Sequence, residues 1–332
     1  MLPIDHLKQT HTAADSATTP DLPADGVVDA PVKTTEPETN SCPPPLGWQQ
    51  VLRTVQRDSA EWRLDRSGHT IRGRTFGRGP PLYFLNGIGG TSDLFALFVW
   101  LLREDFRCVL FDYESGFRFP GSGPRLSVAD MAEDLFAVAR MQGDKRFSLY
   151  ATSFGTLVAL HAMLHQPDRI ERAVLQGGFA HRNLSLFEKM LARICSFVPG
   201  SYRHVPLRKK IQWWNHRRWF PPFDITRWQF LVEDTGSLPI ATLARRACLL
   251  IESDLRSRLS EIQQPVLLIR SEGEGMVSEQ CHRELESGLL NKQTEFLNNC
   301  GHLPYLTHPH RLMKLVLPFL QQQSSESCAG KS

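Results

Sequence analysis

The run Ala151-Thr152-Ser153-Phe154-Gly155 follows a short apolar strand, Phe147 to Tyr150, and leads into a helix that starts near Thr156. A serine at a strand–turn–helix corner is pushed out at the carboxyl end of a sheet. Small residues two before and two after it let strand and helix pass closely, and Ala151 and Gly155 occupy those places. A serine hydroxyl attacks an acyl carbon only when a neighbouring base takes its proton, and histidine has the pKa for that work near neutrality. The base in turn needs a carboxylate to fix its tautomer and steady the imidazolium. The charge that gathers on the substrate oxygen needs fixed N–H donors. A serine that merely caps a helix is the plain alternative, so the weight of this corner depends on the elements around it.

Those elements alternate. Strand-length apolar runs at Leu82 to Leu85, Cys108 to Tyr113, Phe147 to Tyr150, Ala173 to Leu175, Val266 to Ile269 and Thr294 to Leu297 are mostly separated by amphipathic segments of helix length. The helices expected are Leu94 to Leu102, Val128 to Met141, Thr156 to His165, Glu279 to Leu289 and Arg311 to Leu320. Two further strands joined by a turn at Ser67-Gly68 are expected around Trp62 to Leu64 and Thr70 to Arg74. Strands alternating with helices predict a mostly parallel sheet covered on both faces. Between Phe179 and Ile262 the rhythm breaks, and a long stretch of helical pattern carries Trp213, Trp214, Trp219 and Trp228 with no convincing strand. It reads as an inserted helical cap over the active edge of the sheet.

With these pieces in order, the sequence resembles the α/β-hydrolases, over Trp62 to Leu320. Ala151 to Gly155 resembles their nucleophile elbow, with Ala151 where glycine is usual. The resemblance implies an α/β-hydrolase fold with an eight-stranded, mostly parallel sheet and Ser153 as nucleophile. Of the twelve histidines, it points to His302, in Cys300-Gly301-His302 after the Thr294 to Leu297 strand, as the base. His308 and His310 form an HxH pair without further ligands, which is usually solvated, so no metal is expected. The loop Arg270-Ser271-Glu272-Gly273-Glu274-Gly275-Met276-Val277 is similar to the family's acid loop, and aligning on Val277 makes Glu274 the acid, with Glu272 the rival. In Leu85-Asn86-Gly87-Ile88-Gly89-Gly90 the resemblance implies that the backbone N–H of Ile88 joins that of Phe154 in an oxyanion hole. Asn86 stands where histidine is usual. No Gly-Lys-Ser/Thr follows, so this is not a phosphate loop.

The domain boundaries expected are a disordered tail over 1–45, core segments over 46–179 and 263–322, the cap over 180–262, and a flexible tail over 323–332. Between Tyr202 and Phe223 the cap holds Arg203, Arg208, Lys209, Lys210, Arg217 and Arg218 with no acidic residue. Arg208, Lys209 and Lys210 are therefore candidates for contacting an anionic partner, either an acidic carrier protein or an anionic lipid surface; the alternative is a solvated helical face. Across the whole chain 38 Lys and Arg nearly balance 35 Asp and Glu, which argues against nucleic acid. Seven scattered cysteines suit a reducing compartment, and no signal peptide or transmembrane run is apparent, so a cytoplasmic location is expected. The reading is a hydrolase of a small-molecule carboxylic ester or thioester that works through an acyl-enzyme and needs no cofactor. The alternatives are an acyltransferase with the same intermediate, a carbon–carbon bond hydrolase, or a hydrolase-like binding protein.

Overall fold

The computed structural model describes residues 47–66, 69–113, 127–275 and 277–322. The tails expected over 1–45 and 323–332, and the turn at Ser67-Gly68, lie outside the described residues. The strands are β1 (Ala60–Arg66), β2 (His69–Phe76), β3 (Pro81–Leu85), β4 (Arg107–Phe111), β5 (Phe147–Thr152), β6 (Ile170–Gln176), β7 (Val266–Gly273) and β8 (Lys292–Gly301). They form one eight-stranded sheet in the order β1-β2-β4-β3-β5-β6-β7-β8. The first two pairings, β1 with β2 and β2 with β4, are antiparallel, and all the others are parallel.

The helices are α1 (Trp48–Asp58), α2 (Ala96–Leu102), α3 (Val128–Met141), α4 (Gly155–His165), α5 (Leu186–Cys195), α6 (Arg208–His216), α7 (Ile225–Ser237), α8 (Ile240–Glu252), α9 (Glu279–Gly288), α10 (Pro304–Thr307) and α11 (Pro309–Gln321). Period-two alternation along the strands sends neighbouring residues to opposite faces. Tyr83 and Leu85 join a core with α3, α4 and α9, whereas Leu82 and Phe84 join a second core with α1, α2 and α11. Covering both faces is what makes β3, β4 and β5 near-continuous apolar runs rather than alternating ones. Helix α4 is apolar almost all round because it is buried almost all round: eight of its eleven residues are buried. Helix α3 starts at a capping box, in which the Ser127 hydroxyl accepts from the Asp130 amide and the Asp130 carboxylate accepts from the Ser127 amide.

Strand β3 lies between β4 and β5, so the chain order reverses there and a crevice opens at the carboxyl ends of β3 and β5. The loop at 86–91 and the corner at 152–155 both reach into it. Helices α5 to α8 all fall between β6 and β7, within the stretch expected as the insert. No described helix is long and apolar enough to cross a membrane.

The start of α4 sits hard against the end of β3. A Cβ at Gly155 would fall 2.4 Å from the carbonyl oxygen of Leu85 and 2.7 Å from that of Asn86. Both are backbone atoms that no side-chain rotation can move. Gly155→Ala should therefore destabilise the fold by about 1–3 kcal/mol, measured by urea unfolding; an unchanged midpoint would show that helix and strand are not this tightly apposed.

Candidate active site

Ser153 adopts φ 51°, in the left-handed region that a residue with a Cβ enters only under constraint. Two features hold it there: its amide donates to the carbonyl of Gln176 at 3.0 Å, and Thr156 closes the turn back onto the Ser153 carbonyl at 3.0 Å. The turn leaves the Ser153 side chain on the wall of a cavity of about 300 Å³ that His302 also lines.

His302 follows directly on β8 and Glu274 directly on β7, strands paired in parallel, so their loops leave the sheet side by side. The His302 Nδ1 lies 2.5 Å from Glu274 Oε2, and both residues are buried. The other carboxylate oxygen of Glu274 accepts the Ser271 amide at 2.8 Å. Burial works to raise the Glu274 pKa, but the His302 charge and hydrogen bond, the Ser271 amide and the nearby His282 outweigh it, and the net shift is downward. Glu272 points elsewhere, with its Oε2 accepting the amide of Asn299 at 2.7 Å and steadying a residue at φ 49°. Of the two acids left open by the sequence, Glu274 is the one beside the histidine.

Several residues that shape this pair were not among the site residues expected from the sequence. Gly177, at φ 55°, lies beneath it: a Cβ there would fall 2.6 Å from Glu274 Oε2 and 2.8 Å from His302 Cε1. Its place just past the end of a core strand was the only available hint. Trp219 covers the two glycines that precede the acid and the base, since a Cβ would fall 2.0 Å from its ring at Gly273 and 2.5 Å at Gly301. His216 lines the same cavity, and burial, followed by the neighbouring His302, holds its pKa down at about 4, so it is uncharged at neutral pH.

The glycine-rich loop is pinned from both sides. Asn86 Nδ2 donates to Asp112 Oδ1 at 2.8 Å, and the Ser92 amide donates to the same oxygen at 2.6 Å. Asp234 of α7 accepts from the amide of Thr91 at 3.0 Å, and buried Arg246 of α8 donates to the Ile88 carbonyl at 2.9 Å and the Tyr113 carbonyl at 3.0 Å. The carbonyl of Ile88 is thus committed to Arg246, and Ile88 itself borders the cavity with Gly87 and Ser153. Phe154 is the N-cap residue of α4, where the first amides of a helix have no partner within it.

The basic residues of the insert divide. Lys209 and Lys210 are exposed, but Arg208 is buried, with Nη1 donating to the Val232 carbonyl at 3.0 Å and to Gln212 Oε1 at 3.2 Å. Its surface role is corrected: Gly236, where a Cβ would fall 2.7 Å from Nη2, lets the guanidinium fold inward against α7.

A family model for the alpha/beta hydrolase fold matches residues 80–309, and the chain belongs to that family. Among proteins it resembles are a putative carbamate hydrolase of Agrobacterium fabrum, 24% identical over 75% of this chain and 97% of the relative, and a pimeloyl-[acyl-carrier protein] methyl ester esterase of Nitrosomonas europaea, 26% identical over 74% and 97%. Among solved structures, an enol-lactonase from Burkholderia xenovorans superposes with a TM-score of 0.67 at 18% identity, covering 79% of this chain and 100% of that one.

The lowered pKa of Glu274 has a thermodynamic consequence. Because the folded value lies below the ordinary 4.5, the stability this carboxylate contributes is complete above pH 4.5 and is lost as pH falls through the depressed value. The stability difference between the protein and Glu274→Gln should hold level from neutral pH to about 4.5 and shrink below it. Unfolding curves across that range would test this, and a difference that widened in acid would reverse the sign.

Proposed function

We propose that the chain is a serine hydrolase that cleaves a carboxylic ester or thioester with an apolar acyl group. The observation that carries this is the buried His302–Glu274 contact on the same cavity as a serine held at positive φ. In this reading Ser153 Oγ attacks the acyl carbon while His302 Nε2 takes its proton. The tetrahedral oxygen is received by the amides of Ile88 and Phe154. His302 then returns the proton to the leaving alcohol or thiol, and water, deprotonated by the same histidine, releases the acid and restores the serine. Glu274 remains ionised throughout and holds His302 with Nε2 toward the serine.

Family membership supports hydrolysis in general, and the named relatives, a carbamate hydrolase and a methyl ester esterase, support ester-type substrates. The cavity supports an apolar acyl chain: Leu94, Phe95, Leu231, Leu243 and Leu303 line it, with Arg182, Tyr202, Gln212, His216 and Thr235 among its polar groups. Since Gln212, Leu231 and Leu243 come from α6, α7 and α8, we assign the insert the part of a cap that sets substrate shape. The odd, scattered cysteines support a reducing, cytoplasmic setting.

A fluorophosphonate probe should label Ser153, mapped by mass spectrometry, and labelling should disappear in Ser153→Ala; failure of the folded protein to react with either a large or a small probe would remove the activated serine. Ser153→Ala and His302→Ala should each lower turnover of the best ester found by about 1,000-fold or more. Glu274→Gln should cripple the rate while Glu272→Gln leaves it nearly intact. Gly177→Ala, which places a methyl against the acid and the base, should lower kcat by about 100-fold, with KM little changed; full activity would mean that the pair tolerates displacement.

A further inference from the structure

Amphipathic helices ordinarily turn their apolar stripe toward the core, yet two helices of the insert do the reverse. Leu186, Phe187, Met190, Leu191 and Ile194 recur along α5 at the spacing of one helix face, and all are exposed. Leu186 and Phe187 are 86% and 66% exposed, while Ala192 is the only buried residue of that helix. On α6, Leu207, just before its start, Ile211 and Trp214 form a second outward stripe, and the opposite face buries Arg208 and Gln212. Of the fifteen large apolar side chains exposed among the described residues, twelve lie between Leu186 and Ile225. Exposed apolar side chains in this number need something to cover them.

We propose that the outward faces of α5 and α6 dock the protein onto an anionic lipid bilayer. Charge complementarity selects that occupant. Helical spacing places Lys189 and Arg193 along the flank of the α5 stripe and Lys210 beside the α6 stripe, with Arg203 and Arg218 exposed nearby. Long basic side chains in such positions lay their stems along apolar surface and reach phosphate with their heads, while exposed Trp213 and Trp214 suit the headgroup level. The two acidic residues of the stretch are occupied: Glu188 caps its own helix at Ser185, and Asp224 caps α7 and pairs with Arg227. A second copy of this chain fits poorly, because a two-fold contact would set these cations against one another. Helices of ten and nine residues are too short to span a bilayer and instead lie in its surface.

The inner face of α6 supplies Gln212 and His216 to the cavity that holds Ser153 and His302. Docking would bring the lipid surface within one helix diameter of that cavity, about 10 Å. Resting on the ester-hydrolase reading, this makes the substrate class an ester with an apolar acyl chain that is drawn from the membrane.

The test is flotation of the full chain with vesicles of phosphatidylcholine alone and of phosphatidylcholine mixed with phosphatidylglycerol. The protein should bind the anionic vesicles at least ~10-fold more tightly, and added salt should weaken that binding. Phe187→Ser/Ile194→Ser, and separately Arg193→Glu/Lys210→Glu, should each reduce it by ~10-fold or more, with circular dichroism confirming that the variants are folded. Phe187→Ser/Ile194→Ser should hydrolyse a soluble short-chain ester at the normal rate. Equal or negligible binding to both vesicle types overturns the proposal. So does a dimer in solution that Phe187→Ser/Ile194→Ser converts to monomer, or binding of an acidic carrier protein without binding of anionic vesicles. Running the flotation also with Ser153→Ala separates the two readings, since docking survives loss of the nucleophile and a missing esterase activity leaves the vesicle result intact.

Discussion

A carboxylate and an imidazole buried together 2.5 Å apart constrain everything around them. A buried carboxylate is tolerated only when its charge is met by hydrogen bonds or a positive partner. Glu274 has two such hydrogen bonds, from the Ser271 amide and the His302 ring. Meeting that demand requires the loops after β7 and β8 to leave the sheet together, which the parallel pairing of the two strands provides. It also requires backbone without side chains at the point of closest approach. Gly177 gives the pair its floor, and Gly273 and Gly301 give Trp219 a flat surface on which to press. A single Cβ at any of the three would force atoms together that cannot share the space.

The same economy governs the other half of the site. The 86–91 loop would be loose if left to its glycines, and it is made rigid from outside by Asp112, Asp234 and Arg246. Two of these three come from the insert, so α7 and α8 both wall the cavity and brace the loop that faces Ser153. The insert looks both ways, with polar and apolar groups turned to the cavity and an apolar, basic face turned outward, and on the proposal made above its two faces serve successive stages of one task.

Much of the fold was legible because burial leaves a periodic trace. All six apolar runs fall within observed strands or begin in them, Val128–Met141 is a helix over the span expected, and the gap after Phe179 contains α5 to α8 and no strand of the sheet. The serine corner was legible for a related reason, since a strand, a tight turn and a helix each impose local residue choices. Helix α1 was not distinguished, because its short amphipathic run follows a proline-rich stretch and its partners are remote in sequence.

What sequence determined by itself, then, were the features whose causes lie within a few residues: the strand and helix periods, the turn at Ser153 and the excess of basic residues in the insert, while the family resemblance added the candidates His302, Glu274 and Glu272. Only the tertiary structure decided which acid meets His302, because Glu272 and Glu274 are two residues apart on the same strand end and differ in what the fold brings opposite them. Only it could separate buried Arg208 from exposed Lys209 and Lys210, or bring Gly177, Trp219, Arg246 and His216 to the site. Those contacts join residues up to 158 positions apart, and packing across such distances leaves no local pattern to read.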